Sequence, residues 1–245
     1  MNLLFHTLFV RTRKVRGVRA ATFLGLSVLL TGTGFFAGRS GAMEKTNETI
    51  ELPAPRQDSE YSLERALRVR RSVREFRDDP ITLAQLSQLL WAAQGITDSR
   101  GLRTAPSAGA LYPLEVYILV GAVAGLPEGT YKYQVNGHKL LRLSNEDRRR
   151  QMERTARDQD WVRRNAALIV FAAVEARTTG KYGRRGIRYI HIEVGHAAQN
   201  VMLQAQAIGL AAAVVGAFDD DRVEDLLDMP GNEQALYLMP IGKPR

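Results

Sequence analysis

The sequence predicts an α+β domain with a central, mainly antiparallel sheet flanked by helices. Three observations carry this. "GTYKYQVNGHKLLRL", residues 129–143, reads as a hairpin around Asn136-Gly137, a pair that joins adjacent antiparallel strands. "ALIVFAAVEA", residues 167–176, is an almost uninterrupted apolar run of strand length, as expected of a strand covered on both faces. Segments of helical period separate these strands, the longest at about 186–209, and no internal repeat is visible.

In chain order, residues 44–58 are polar with two prolines and read as an extended lead-in. From Ser59 the pattern turns helical through Leu63, Ala66 and Leu67 to Arg70-Arg71-Ser72. Thr82-Leu83-Ala84-Gln85 has the form of a capping box. It opens a helix with Leu83, Leu86, Leu89, Leu90 and Ala93 on one stripe, and Gly95 closes it. A loop runs to Leu111, and Leu114–Val120 is a strand. After the hairpin comes a polar, charged helix over 145–164, the apolar strand, and a loop at 178–186. The long helix follows, with Ile190, Val194, Ala197, Val201, Ala205 and Ile208 on one stripe and Ile192, Ala198 and Met202 off it. A helix apolar nearly all round is buried in a core or in a subunit interface. Residues 211–218 and 235–242 supply two more strands around a short helix at 220–228.

Composition narrows the function. The chain of 245 residues has no cysteine, which removes disulfides, thiol catalysis and cysteine-rich metal sites. Its net charge is +8, but six basic residues and no acid fall in residues 1–43, leaving 28 basic against 26 acidic residues beyond. A near-neutral body is a poor match for a phosphate backbone, so nucleic acid is discounted. The leader runs from a basic stretch, 11–19, into residues 20–38, which are uncharged. Such a segment suits a signal peptide cleaved near Ser40-Gly41-Ala42, or an anchor in contact with a membrane. A start at Met43 is the third reading. The first two place the domain in an exported or membrane-associated setting, and the last places it in the cytoplasm. Residues 59–245 form the functional domain in each case.

Several familiar chemistries are missing. There is no G-x-x-x-x-G-K-S/T loop. Ser107 sits in A-P-S-A-G rather than G-x-S-x-G and has no histidine–acid partners in view. His191 and His196 are five residues apart, roughly 140° around a helix, so they do not share a metal-binding face. Trp91 and Trp161 suit packing better than a binding cage.

Four features remain. "RVRRSVREF", 68–76, gathers Arg70, Arg71 and Arg74 around Ser72; it is either a solvated basic face or a clamp for a phosphate and neighbouring hydroxyls. Pro106-Ser107-Ala108-Gly109-Ala110 places the smallest side chains just before a buried strand, leaving room for something flat to approach the backbone. Gly216-Ala217 does the same ahead of an Asp-capped helix. "TTGKYGRRG", 178–186, holds Lys181 and Tyr182 in what reads as a loop, a natural place for working residues.

These stretches, with "LSQLLWAAQGIT" and "LYLMPIGKP" in the same order, resemble the nitroreductase superfamily over roughly residues 50–245. Within it they look like the SagB-type dehydrogenases, relatives of the thiazole/oxazole oxidases. The resemblance implies a homodimer with FMN at the subunit interface and the long helix buried there. By position, Arg70, Arg71, Ser72 and Arg74 would hold the flavin phosphate and ribityl chain. Pro106, Ser107, Ala108 and Gly109 would line the flavin from the second chain. Gly216 and Ala217 would place a backbone N–H near flavin N5. Nitroreductases proper tend to have Asn and Gln where this chain has Ala110 and Tyr112, and they continue past Ile241-Gly242 to a basic pair, a role left here to Lys243 or Arg245. In azoline-oxidising relatives a Lys-Tyr pair removes the proton as hydride leaves, and Lys181-Tyr182 matches it. A lysine needs a cationic or apolar setting to act as a base near neutrality, and Arg184 and Arg185 stand close by in sequence.

The expected function is therefore FMN-dependent oxidoreduction, of an azoline, another heterocycle or a modified peptide. Two alternatives stand beside it: NAD(P)H-dependent reduction of a nitro or quinone compound, and a flavin-binding or membrane-associated interaction protein without turnover.

Overall fold

Alternation along two central strands, β3 (Leu114–Val120) and β7 (Ala167–Ala173), sets the layers of the molecule. Val116, Ile118, Val120, Ile169 and Phe171 point to one face of the sheet, while Tyr117, Leu119, Leu168, Val170 and Ala172 point to the other. Successive strand side chains alternate in this way, so a strand apolar at every position needs cover on both sides. Helices supply it. The first face packs on α2 (Leu83–Gln94) and α5 (Arg185–Ala207). The second packs on α3 (Arg149–Thr155) and α6 (Asp220–Leu226).

The computed structural model describes residues 48–245, and the leader, with the readings attached to it, lies outside the described residues. The remaining elements are β1 (Thr49–Glu51), α1 (Leu63–Val69), β2 (Ile81–Thr82), β4 (Val123–Ala124), β5 (Gly129–Gln134), β6 (Lys139–Ser144), α4 (Glu175–Tyr182), β8 (Ala211–Ala212) and β9 (Gln234–Gly242). Seven strands form one sheet in the order β1-β6-β5-β3-β7-β9-β8, and every pairing in it is antiparallel. β2 and β4 make a separate two-residue parallel pair.

The local signals hold where they are strong. Thr82 accepts the backbone N–H of Gln85, whose side chain returns to the Thr82 N–H, and Gly95 is the C-cap. A cap of this kind contributes about 1 kcal/mol. Ile190, Val194, Ala197, Val201 and Ala205 of α5 are buried as the stripe requires.

Five expectations need correction. Part of the lead-in is a strand, because β1 pairs with β6. The hairpin stands, but the positive φ falls on Gly137 and His138 rather than on Asn136 and Gly137. The charged helix at 145–164 is only α3; Arg157 and Asp158 turn left-handed after it, and a 3-10 turn follows at Asp160–Val162. The strand at 211–218 shrinks to β8, with Val215 alone pairing on to Leu238. The loop at 178–186 is mostly helix: α4 runs through Tyr182 to a Gly183 C-cap. Apart from these corrections, α5 leaves Ile192 49% exposed within one chain.

Candidate active site

The sheet carries two groups of the anticipated residues. The first lies at its β8 edge. Ser72 bridges Ala212 in parallel, and the Val73 N–H donates to the Ala212 carbonyl at 3.2 Å. Phe76 then bridges Pro244 antiparallel, and the Arg77 N–H donates to the Lys243 carbonyl at 2.9 Å. Residues 140 (Ser72 and Ala212) and 168 (Phe76 and Pro244) positions apart in sequence are thus stitched together. Arg70, Ser72 and Arg74 share this edge with Lys243 and Arg245. Arg70 is the C-cap of α1. Arg71 donates to the carbonyls of Arg68 and Arg70 at 3.1 and 2.8 Å, so it serves the end of the helix. The Arg74 guanidinium lies 5.4 Å from the centre of the Trp161 ring, which holds it in place. Gly216 and Ala217 are exposed just past the Val215–Leu238 bridge. A Cβ at Gly216 would meet only Tyr237, at 3.7 Å.

The second group lies where β3 begins. Ser107 accepts the Tyr112 N–H on its hydroxyl at 2.9 Å, closing a loop around a 3-10 turn at Ala108–Ala110. Gly109, Ala110 and Tyr112 all take left-handed φ, of 65°, 54° and 45°, a costly run for two residues with a Cβ. A Cβ on Gly109 would stand 2.8 Å from Tyr182 Oη and 3.0 Å from Lys181 Nζ. The small-residue loop and the Lys-Tyr pair, far apart in sequence, therefore touch. Lys181 Nζ lies 5.4 Å from the centre of the Tyr182 ring, and that ring packs edge-on against Tyr189 at 5.1 Å. Pro106 and Lys181 are exposed, and Ser107 and Ala108 half-buried.

The ladders keep the two groups apart within one chain. Ile241 pairs with Ala167 and Ala212 at one end, while Ala173 pairs with Leu114 and Gln234 at the other. The span from Ala167 to Ala173 is about 20 Å at ~3.3 Å per residue. Among the described residues no hydrogen bond or ion pair joins the groups.

The sequence reading passed over two features. Arg103 is half-buried, donates to Gln94 Oε1 at 2.8 Å and stacks 4.3 Å from the centre of Tyr112; burial depresses its pKa. Beside it, Glu193 of α5 is 2% exposed, and desolvation pushes its carboxyl up to about 7. One acid inside an apolar helix stripe is the signal that would have flagged it.

Gly109→Ala is expected to cost about 1–2 kcal/mol through its left-handed φ. It should cost turnover more, about tenfold, because the new methyl displaces the flexible ends of Lys181 and Tyr182. Thermal melts beside steady-state rates check this; a rate unchanged from wild type would refute it.

The nitroreductase family model matches residues 67–243. A protein of Methanocaldococcus jannaschii, provisionally named a nitroreductase, is 44% identical over 196 residues, covering 80% of this chain and 98% of its own. A crystal structure of a protein from Ralstonia eutropha JMP134, also provisionally named a nitroreductase, matches with a TM-score of 0.72 at 29% identity, covering 83% of this chain and 94% of its own. The NADPH:FMN oxidoreductase of Vibrio harveyi, solved with NAD+, shares the fold at a TM-score of 0.55 and 20% identity, over 74% of this chain and 68% of its own. In sequence and in fold, this chain belongs to the nitroreductase family.

Proposed function

We propose that the protein is an FMN-dependent oxidoreductase working as a homodimer, in which each flavin is held by the β8 edge of one chain and covered by the 106–110 loop of the other. The observation that carries this is the separation of two complementary halves. One chain gathers cations at one end of its ladders and a small-residue loop against Lys181 and Tyr182 at the other, with the open Gly216 beside the Val215–Leu238 bridge at mid-ladder. A second copy completes the site, and the outward Ile192 and His191 of α5 are the surface it would cover.

The residues fit the cofactor. Arg70, Arg74, Lys243 and Arg245 supply charge-assisted donors for a phosphate, and Ser72 adds a hydroxyl. The room at Gly216 admits a ring against the backbone. When bound, the flavin supplies reversible two-electron transfer. The chain's own work is to hold the phosphate, keep the ring flat against the 106–109 backbone, and move a proton. Lys181 Nζ and Tyr182 Oη are the groups placed to take or give it. This arrangement supports oxidation of an azoline or other heterocycle, free or within a peptide, as the primary reaction. A second reading, NAD(P)H-dependent reduction of a nitro or quinone compound, is favoured by the likeness to the Vibrio harveyi enzyme.

The test is the visible spectrum of purified residues 43–245, with identification of any chromophore released on heating and the mass of the particle in solution. A yellow dimer releasing FMN supports the reading and justifies assays with azoline donors and NAD(P)H. A folded protein that stays colourless after incubation with FMN refutes it.

A further inference from the structure

Arg103 is a half-buried cation whose charge the chain leaves unpaired. Its guanidinium stacks 4.3 Å from the centre of the Tyr112 ring, and its Nη1 donates to Gln94 Oε1 at 2.8 Å. Among the described residues its Nε and Nη2 have no acceptor, and it belongs to no ion pair. Nε and Nη2 form one edge of the guanidinium, two parallel N–H groups that match the two oxygens of a carboxylate. A buried charge is costly unless something pairs with it. The acids that Arg103 feels are Glu115 and Glu193, and neither pairs with it. Glu115 is taken, by Lys132 at 2.9 Å and by Arg177 at 2.6 Å. Glu193 is buried, and desolvation pushes its carboxyl up to about 7, so it is half protonated near neutrality.

Arg103 lines a cleft of about 700 Å³ together with Tyr112, Glu115, Lys132 and Arg177. Leu111, Val135 and Leu141 give the cleft an apolar wall. The other two cations are already satisfied. Lys132 also pairs with Glu233 at 2.6 Å, and Arg177 also donates to the Tyr112 carbonyl at 3.1 Å. Lys132 and Arg177 are thus balanced by Glu115 and Glu233, and the charge left over is that of Arg103. One free charge suits a carboxylate better than a doubly charged phosphate. Arg177 and Lys181 are four residues apart on α4, so they share a helix face about 6 Å apart along the axis. The cleft therefore lies within one helical turn of Lys181. We propose that it is a substrate subsite, in which Arg103 grips a carboxylate and the apolar wall covers the body that carries it. The substrate is then a heterocycle bearing a free carboxylate, as one at the C-terminus of a peptide does. That the bound acid is a substrate rests on the flavin reading above; that the cleft binds it does not.

The experiment is isothermal titration calorimetry of the protein as purified, with N-acetylphenylalanine and its carboxamide as probes. The two share one body and differ in the charge. Wild type should bind the acid about 10–100-fold more tightly than the amide, the worth of a charge-assisted hydrogen bond. Arg103→Lys keeps a cation but loses the planar fork. It should weaken the acid about tenfold and leave the amide unchanged, with thermal melts showing that the variant is folded. Inorganic phosphate, the third probe, should bind wild type more weakly than the acid. Equal affinity for acid and amide, binding of neither, or phosphate bound more tightly than the acid overturns the proposal. So does a folded R103K that keeps the wild-type preference; if R103K does not fold, the comparison of probes on wild type still decides. No flavin is added and no turnover is read, so a failure to bind FMN would sink the functional reading and leave this result standing.

Discussion

Replacing Lys181 with Ala is expected to lower turnover by about 10²–10⁴-fold, the range for losing one general acid or base, while FMN remains bound. Lys181 is exposed at the last turn of α4 and no part of it enters either core. Its Nζ stands where a Cβ on Gly109 would almost touch it, so its removal changes the surface beside the 106–110 loop and leaves the fold intact. The structural cost is confined to one cation near a helix C-terminus, about 0.3–1 kcal/mol. Tyr182→Phe is the sharper companion: it keeps the edge-on packing against Tyr189 and removes only Oη. Steady-state rates, bound-flavin absorbance and thermal melts on both variants check this. Turnover at the wild-type level in both would remove the pair from the mechanism. If wild type itself shows no turnover while binding FMN, the non-catalytic reading takes over.

Phe76→Ala should cost about 3–5 kcal/mol, the range for emptying a buried aromatic site. Phe76 is 4% exposed, and its ring lies so close to Gly242 that a Cβ there would meet it at 3.0 Å. It sits at the centre of a clamp. The Arg77 N–H donates to the Lys243 carbonyl at 2.9 Å, and the Arg245 N–H to the Glu75 carbonyl at 3.4 Å. Emptying the site frees the C-terminal strand end from the 72–77 segment, so FMN affinity should fall along with stability. Urea denaturation and FMN titration measure the two. A loss below about 1 kcal/mol would mean that the β8 edge is held by the backbone bonds alone.

The parts of the fold legible in the sequence are those whose signal is local. The capping box at Thr82, the apolar run of β7 and the stripe of α5 each reflect a preference satisfied within a dozen residues or so. Where the sequence misled, propensity and packing disagreed. α4 reads as a loop because "EARTTGKY" contains two threonines and a glycine, poor helix formers; it is helical because Thr178 is buried where the helix packs against α5. β1 was hidden because three residues of strand mean nothing without β6 beside them. The helix predicted over 145–164 stops at Thr155 because two residues after it turn left-handed, which no periodicity records.

The candidate site divides in the same way. The sequence by itself determined the inventory: a basic stretch at Arg70–Arg74, a loop of minimal side chains at 106–110, a small pair at Gly216-Ala217 and Lys181-Tyr182, in an order that marks the family. The tertiary structure alone decided which of them meet. It placed Gly109 against Lys181 and Tyr182, tied Phe76 to Pro244, set Arg71 to capping its helix and buried Glu193 on α5. Residue type is written along the chain, whereas these juxtapositions arise from strand pairing and helix packing between segments tens to well over a hundred residues apart, which no local preference encodes.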